Sequence, residues 1–213
     1  MEFLLENILN LIGFLVGLGI GIMSLIGFRN TGSPTLFRLT IAFFSISLGF
    51  FVIWAGYMAE DFVTKSGNIE RWVQTLGIAI QTVGYFFIAF SHSIKSFFPK
   101  SSYFRSVGIL PLFLVSSVQL EHLFRSVSFI LLAYGAIETM LSYLDNRNKG
   151  AISVSVGLAL LALGEFLGWY SFVFPESILY SVSMVIKIGG LVALFIPVSK
   201  VPLTKIKFDE GLE

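Results

Sequence analysis

Residues 151–198 read AISVSVGLALLALGEFLGWYSFVFPESILYSVSMVIKIGGLVALFIPV, two apolar runs divided by Phe174-Pro175-Glu176-Ser177. Each run has about the 20 mostly apolar residues that an α-helix needs to cross a bilayer. Lipid offers no partner to a backbone N–H or C=O, so a crossing segment is a helix or part of a closed barrel. Neither run alternates as a barrel strand does. The pair reads as a transmembrane helical hairpin, and each run carries one charge near its middle, Glu165 in the first and Lys187 in the second.

Worked outward from this hairpin, the same reading gives seven spans over 7–28, 36–59, 72–94, 104–120, 123–144, 151–174 and 177–198. The fourth is short and carries Pro111 near its middle, so a kinked or half-inserted segment is an alternative there. Loop residues punctuate the breaks, among them Asn30-Thr31-Gly32-Ser33-Pro34, Ser66-Gly67-Asn68 and Asp145-Asn146-Arg147-Asn148. No connection is long enough for a soluble domain, and residues 1–213 are expected to form one all-α transmembrane unit. Composition agrees: 55% of residues are hydrophobic and 13% charged, against roughly 45–50% and 25% in a soluble domain. With 15% aromatic residues and net charge +1 the chain is the opposite of a disordered one. Fourteen Lys and Arg against 13 Asp and Glu leave no basic excess for nucleic acid. The chain has no cysteine, which removes disulfides, thiol catalysis and Cys-ligated metals.

Lys and Arg asymmetry between alternate loops sets topology. The amino-terminal face has Lys65, Arg71 and Arg125; the other has Arg29, Arg38, Lys95, Lys100, Arg105, Arg147, Lys149, Lys200, Lys205 and Lys207. This places the amino terminus outside and the carboxyl terminus in the cytoplasm, with the protein in the cell membrane. Trp54, Trp72 and Trp169 then form an outer interfacial belt. Glu2 and Glu6, with no basic residue before the first apolar run, do not read as a cleaved signal, and the first span is expected to stay.

Lipid gives helices no hydrophobic reason to associate, so bundles use small residues at their contacts. Gly13, Gly17 and Gly21 on the first span and Gly164 and Gly168 on the sixth are expected to be such contacts, within the bundle or at a homodimer face. Residues 76–91 and 156–171 share five of sixteen positions, among them Gly77/Gly157 and Gly84/Gly164. Those spans run oppositely, so a true relation would be an inverted repeat; chance similarity in a Gly-, Ala- and Phe-rich chain is the simpler account.

A charge near the bilayer centre costs at least about 2.5–3.5 kcal/mol, so each needs a partner, water or a function. Lys187 and Glu165 flank the Pro175-Glu176 turn at nearly equal separation, which at about 1.5 Å rise per residue puts them level on antiparallel helices. An intramembrane ion pair is expected. It either fixes helix register or marks a site for a ligand, proton or ion. Glu138 should lie nearer the cytoplasm, as a second station or at interfacial water. Gln81, Ser183 and Tyr85 are candidates to share the site, with Gln74 and Thr82 nearby. His92 and His122 belong to opposite ends of their helices and cannot hold one metal. No metal, phosphate-binding or nucleophile motif is found, so no catalytic residue is assigned and an enzyme is not expected.

Lys187-Ile188-Gly189-Gly190 on the last span and Arg71-Trp72 at the third resemble the microbial rhodopsins. That resemblance implies seven helices and a retinal Schiff base on Lys187. The departures are Ser183 where that family has an aspartate, Gln74 where a counterion is wanted, and Trp169 near an outer helix end. Heliorhodopsins share the serine but imply the opposite orientation. The expected function is a multi-pass protein binding or translocating a small ligand, proton or ion at the Lys/Glu site, without a cofactor. Two alternatives stand beside it: a sensor or accessory subunit with a membrane-protein partner or a second copy, and a retinal-binding protein.

Overall fold

A computed structural model describes residues 2–63, 67–93, 120–146, 149–173 and 177–199. They form six helices: α1 Glu2–Thr31, α2 Pro34–Val63, α3 Gly67–Ser93, α4 Leu120–Asn146, α5 Lys149–Val173 and α6 Ser177–Val198. All six are long and apolar enough to cross a membrane. The span expected over 104–120 lies, but for its last residue, outside the described residues.

The α1–α2 turn is written in the sequence. Gly32 takes the left-handed conformation, φ +67°, and its N–H caps α1 on the Phe28 carbonyl at 2.7 Å. Pro34 then opens α2, where a missing N–H costs nothing.

Neighbours in chain order pack together, and α6 closes on α1, so the described helices make a ring. Its interior holds Phe43, Phe50, Ile88, Leu132, Leu158 and Leu191, all buried, while Leu15, Val83, Leu163 and Val185 face outward and exposed. An apolar exterior of this extent fits a bundle solvated by lipid. An open groove of about 360 Å³ on that exterior, between α4 and α5, is lined by Phe129, Ala133, Ala136, Ala159, Ala162 and Phe166.

Glycines set the close approaches. The Gly13, Gly17 and Gly21 face lies on Phe50, Ser47 and Phe44 of α2, so it is an intramolecular contact. A β-carbon on Gly77 would meet the Gly49 carbonyl at 2.8 Å, and one on Gly157 the Gly190 carbonyl at 3.0 Å. The glycines shared by 76–91 and 156–171 thus face α2 in one case and α6 in the other. An inverted repeat would match α2 with α4 instead.

Directions follow from these contacts. α1, α2 and α3 alternate, as do α4, α5 and α6. α3 and α4 run parallel: Phe124 packs on the cluster holding Ile78, and one turn on Thr82 Oγ1 lies 2.9 Å from Ser128 Oγ. Tyr180, at the start of α6, shares a hydrogen bond with Tyr57 near the end of α2. The starts of α1, α3, α4 and α6 therefore share one face, here the first face, with Trp54, Trp72 and Trp169 near it.

Candidate functional site

Four charged side chains meet inside the ring. Lys187 Nζ on α6 lies 2.6 Å from Glu165 Oε1 on α5, with 3% and 0% of their side chains exposed. The other Glu165 oxygen accepts from Arg125 Nη1 of α4 at 3.4 Å. Arg125 turns the rest of its fork to Glu121 one helical turn earlier, Nε and Nη2 donating to Oε1 at 3.1 and 3.0 Å. The order is acid, base, acid, base, and the formal charges cancel. Arg125 also stacks over the Tyr180 ring at 5.8 Å from its centroid.

The helices set the slope of this chain of charges. Glu121 is the second residue of α4, Glu165 lies eight residues before the end of α5, and Lys187 ten residues after the start of α6. At about 1.5 Å rise per residue, the network descends from the first face to roughly 15 Å depth. Glycines clear its path. A β-carbon on Gly168 would run into Arg125 Nη1, and one on Gly164 would meet Lys187 Cγ and, at 3.1 Å, the Ser183 carbonyl.

No family model, curated protein or solved structure matches this chain. What the site can do rests on its own chemistry. An ammonium and a carboxylate in such contact share a proton donor and acceptor in low dielectric, where a buried pair is often no more stabilising than apolar packing. Removal of Glu165 strands the Lys187 ammonium in the interior, whereas removal of Lys187 leaves Glu165 with Arg125.

Other candidate residues divide sharply. Tyr85, fully buried on α3, turns its hydroxyl to the Glu165 carboxylate. Gln81, one turn earlier and 1% exposed, packs on Gly49, and neither amide atom has a hydrogen-bond partner among the described residues. Ser183 donates its hydroxyl to the Gly164 carbonyl at 2.9 Å, clamping α6 to α5. Thr82 joins α3 to α4 through Ser128. Glu138 is half-buried and thirteen residues beyond Arg125 on α4, about 20 Å along the axis at ~1.5 Å per residue. It belongs to the other half of the bundle and not to this cluster.

Arg125 and Glu121 are the residues that sequence reading misses. The expected break at 121–122 does not occur; α4 begins at Leu120, and Arg125 is 1% exposed rather than a loop charge. The signal available was the Glu121-to-Arg125 spacing of four, which places acid and base on one helix face. Its weakness is that the same spacing marks many solvated helix ends.

Proposed function

We propose that the protein is a seven-span cell-membrane protein, amino terminus outside, whose buried Lys187–Glu165 site binds or moves a small ligand, proton or ion. The observation that carries this reading is the 2.6 Å contact between two fully buried opposite charges, extended by Arg125 and Glu121 to the first face. Charge placed so deep is costly, and intramembrane ionisable groups commonly mark transport or ligand paths. The seventh crossing is supported by the parallel run of α3 and α4: the chain leaves α3 at one face and begins α4 at the other. The orientation is supported by basic residues. With Arg125 taken out of the face count, Lys65 and Arg71 stand against the ten on the opposite side.

A second reading, a sensor or accessory subunit, is favoured by what lies past Lys187. There the interior formed by the described residues is Leu132, Leu158, Leu191 and Leu194, all buried, and the hydroxyls of Thr139 and Ser155 beyond them are taken up by helix carbonyls. A sensor needs a site open to one side only.

The test is flux through purified protein in liposomes loaded with a pH-sensitive dye and, separately, with rubidium and chloride reporters. The transport reading expects one reporter to move faster than in empty liposomes, and Lys187→Ala to abolish the difference. If no reporter moves in protein shown to be folded, transport of these ions falls.

A further inference from the structure

The site is packed. Glu165 and Tyr85 are fully buried, Arg125 is 1% exposed, and the space beside Gly164 and Gly168 is filled by Lys187 and Arg125 themselves. The groove on the exterior touches none of them. A solute of several atoms would have to displace the ion pairs, whereas a proton requires no volume. One group here is placed to take it. Glu165 divides its oxygens between Lys187 and Arg125, and Arg125 keeps Glu121 as a second partner. Lys187 has, among the described residues, only Glu165.

The surroundings differ on the two sides of the pair. Towards the first face lie Asn7 and Asn10 on α1, 3% and 0% exposed, each with a side-chain carbonyl oxygen lacking a partner among the described residues. Glu121 and Arg125 of α4 and the Tyr57–Tyr180 pair lie on the same side, with Glu6 of α1 near Tyr180. Towards the other face, Thr139 and Ser155 spend their hydroxyls on the carbonyls of Gly135 and Ala136. Ser24 is the buried hydroxyl there without a described partner. Leucines fill the space between. Buried polar groups without protein partners are where ordered water belongs; beyond the pair, two asparagines supply them on the first-face side and Ser24 on the other.

We propose that the species this site takes is a proton, passed to the Glu165 carboxylate from the first face through the polar groups around Arg125. This rests on the reading that the Lys187–Glu165 site is functional. In the step a hydronium ion gives its proton to a Glu165 oxygen; one O–H bond forms, one water is released, and the acid becomes neutral. The Lys187 ammonium thereby loses its counter-ion while Arg125 retains Glu121. The groups facing Glu165 in both states are Tyr85 of α3, Glu121 and Arg125 of α4, and Lys187 of α6, with Tyr180 of α6 over the guanidinium. Lys187 is the one set loose.

The experiment is pH-difference infrared spectroscopy of the full chain in liposomes, read at the carbonyl stretch of a protonated carboxyl group. Glu165→Gln alone strands Lys187, so the charge-balanced Glu165→Gln/Lys187→Met double variant carries the test, with Glu138→Gln as control. A reversible carboxyl band is expected on acidification in the parent and in Glu138→Gln, absent from the double variant and shifted in frequency in Tyr85→Phe. Because the chain lacks cysteine, Asn10→Cys and Leu191→Cys can be probed with a membrane-impermeant thiol reagent from either face. Leu191→Cys should label from neither face, and whatever label reaches the buried Asn10→Cys should come from the amino-terminal face alone. A band that persists in the double variant, or labelling of Leu191→Cys, overturns the proposal. If the band is missing from folded parent protein while Lys187-dependent flux of rubidium or chloride remains, the proton assignment fails and the functional site stands.

Discussion

Replacing Glu165 by Gln should be more damaging than replacing Lys187 by Met. Glu165→Gln leaves Lys187, 3% exposed, without a carboxylate, whereas Arg125 still holds Glu121 at 3.0 Å. Stranding a buried charge costs about 3–5 kcal/mol, roughly two to three and a half decades in the folded-to-unfolded ratio. Lys187→Met leaves Glu165 with Arg125 at 3.4 Å, so the loss is nearer one charge-assisted hydrogen bond, about 1.5–3 kcal/mol. The double variant removes both charges and keeps the Arg125–Glu121 pair. It should be no less stable than Lys187→Met, giving a coupling energy of at least about 3 kcal/mol, the full cost of stranding Lys187 and the upper end for contacting residues. Denaturant titration in detergent micelles, followed by the fluorescence of Trp54, Trp72 and Trp169, measures all four corners of the cycle. Losses that add within about 0.5 kcal/mol would mean that the two side chains are independent, and the reasoning from their contact would be refuted.

Gly168→Ala should cost about 1–3 kcal/mol through overpacking against the Arg125 guanidinium. Gly19→Ala, with nothing within 4 Å of the added carbon, should gain about 0.5–1 kcal/mol from helix propensity; equal effects in the same unfolding assay would contradict the packing. Thr82→Val leaves Ser128 buried without its 2.9 Å partner and should cost about 1–3 kcal/mol. Thr82→Val/Ser128→Ala should recover part of that loss in the same titration.

How much of this was readable in advance depends on the distance over which a residue's partner lies. The long apolar runs and the Gly32-Ser33-Pro34 turn are local signals, and six of the seven helices they imply are present among the described residues. Glu165 and Lys187 could be matched because they sit on consecutive helices joined by a short break, where counting residues fixes depth. Arg125 could not: it pairs with an acid 40 positions away, and beside the Glu121-His122 dipeptide it looked like a basic residue at a membrane surface. Gly164 and Gly168 announced a helix contact, but not that the room they leave is occupied by charged groups. Glu138 lies toward the other face, where counting residues along its helix puts it. An acid on the right helix, it has its own surroundings because thirteen residues of α4 separate it from Arg125.

The Lys187 amine and the Glu165 carboxylate must touch inside the bundle for their site to exist. Solid-state NMR of the full chain in lipid, with 15N at lysine Nζ and 13C at the glutamate side-chain carboxyl carbon, measures that proximity. A through-space correlation that vanishes in both Lys187→Met and Glu165→Gln is predicted, from an Nζ–Oε1 separation of 2.6 Å. A spectrum of folded protein lacking that correlation, or keeping it in either variant, would contradict the account.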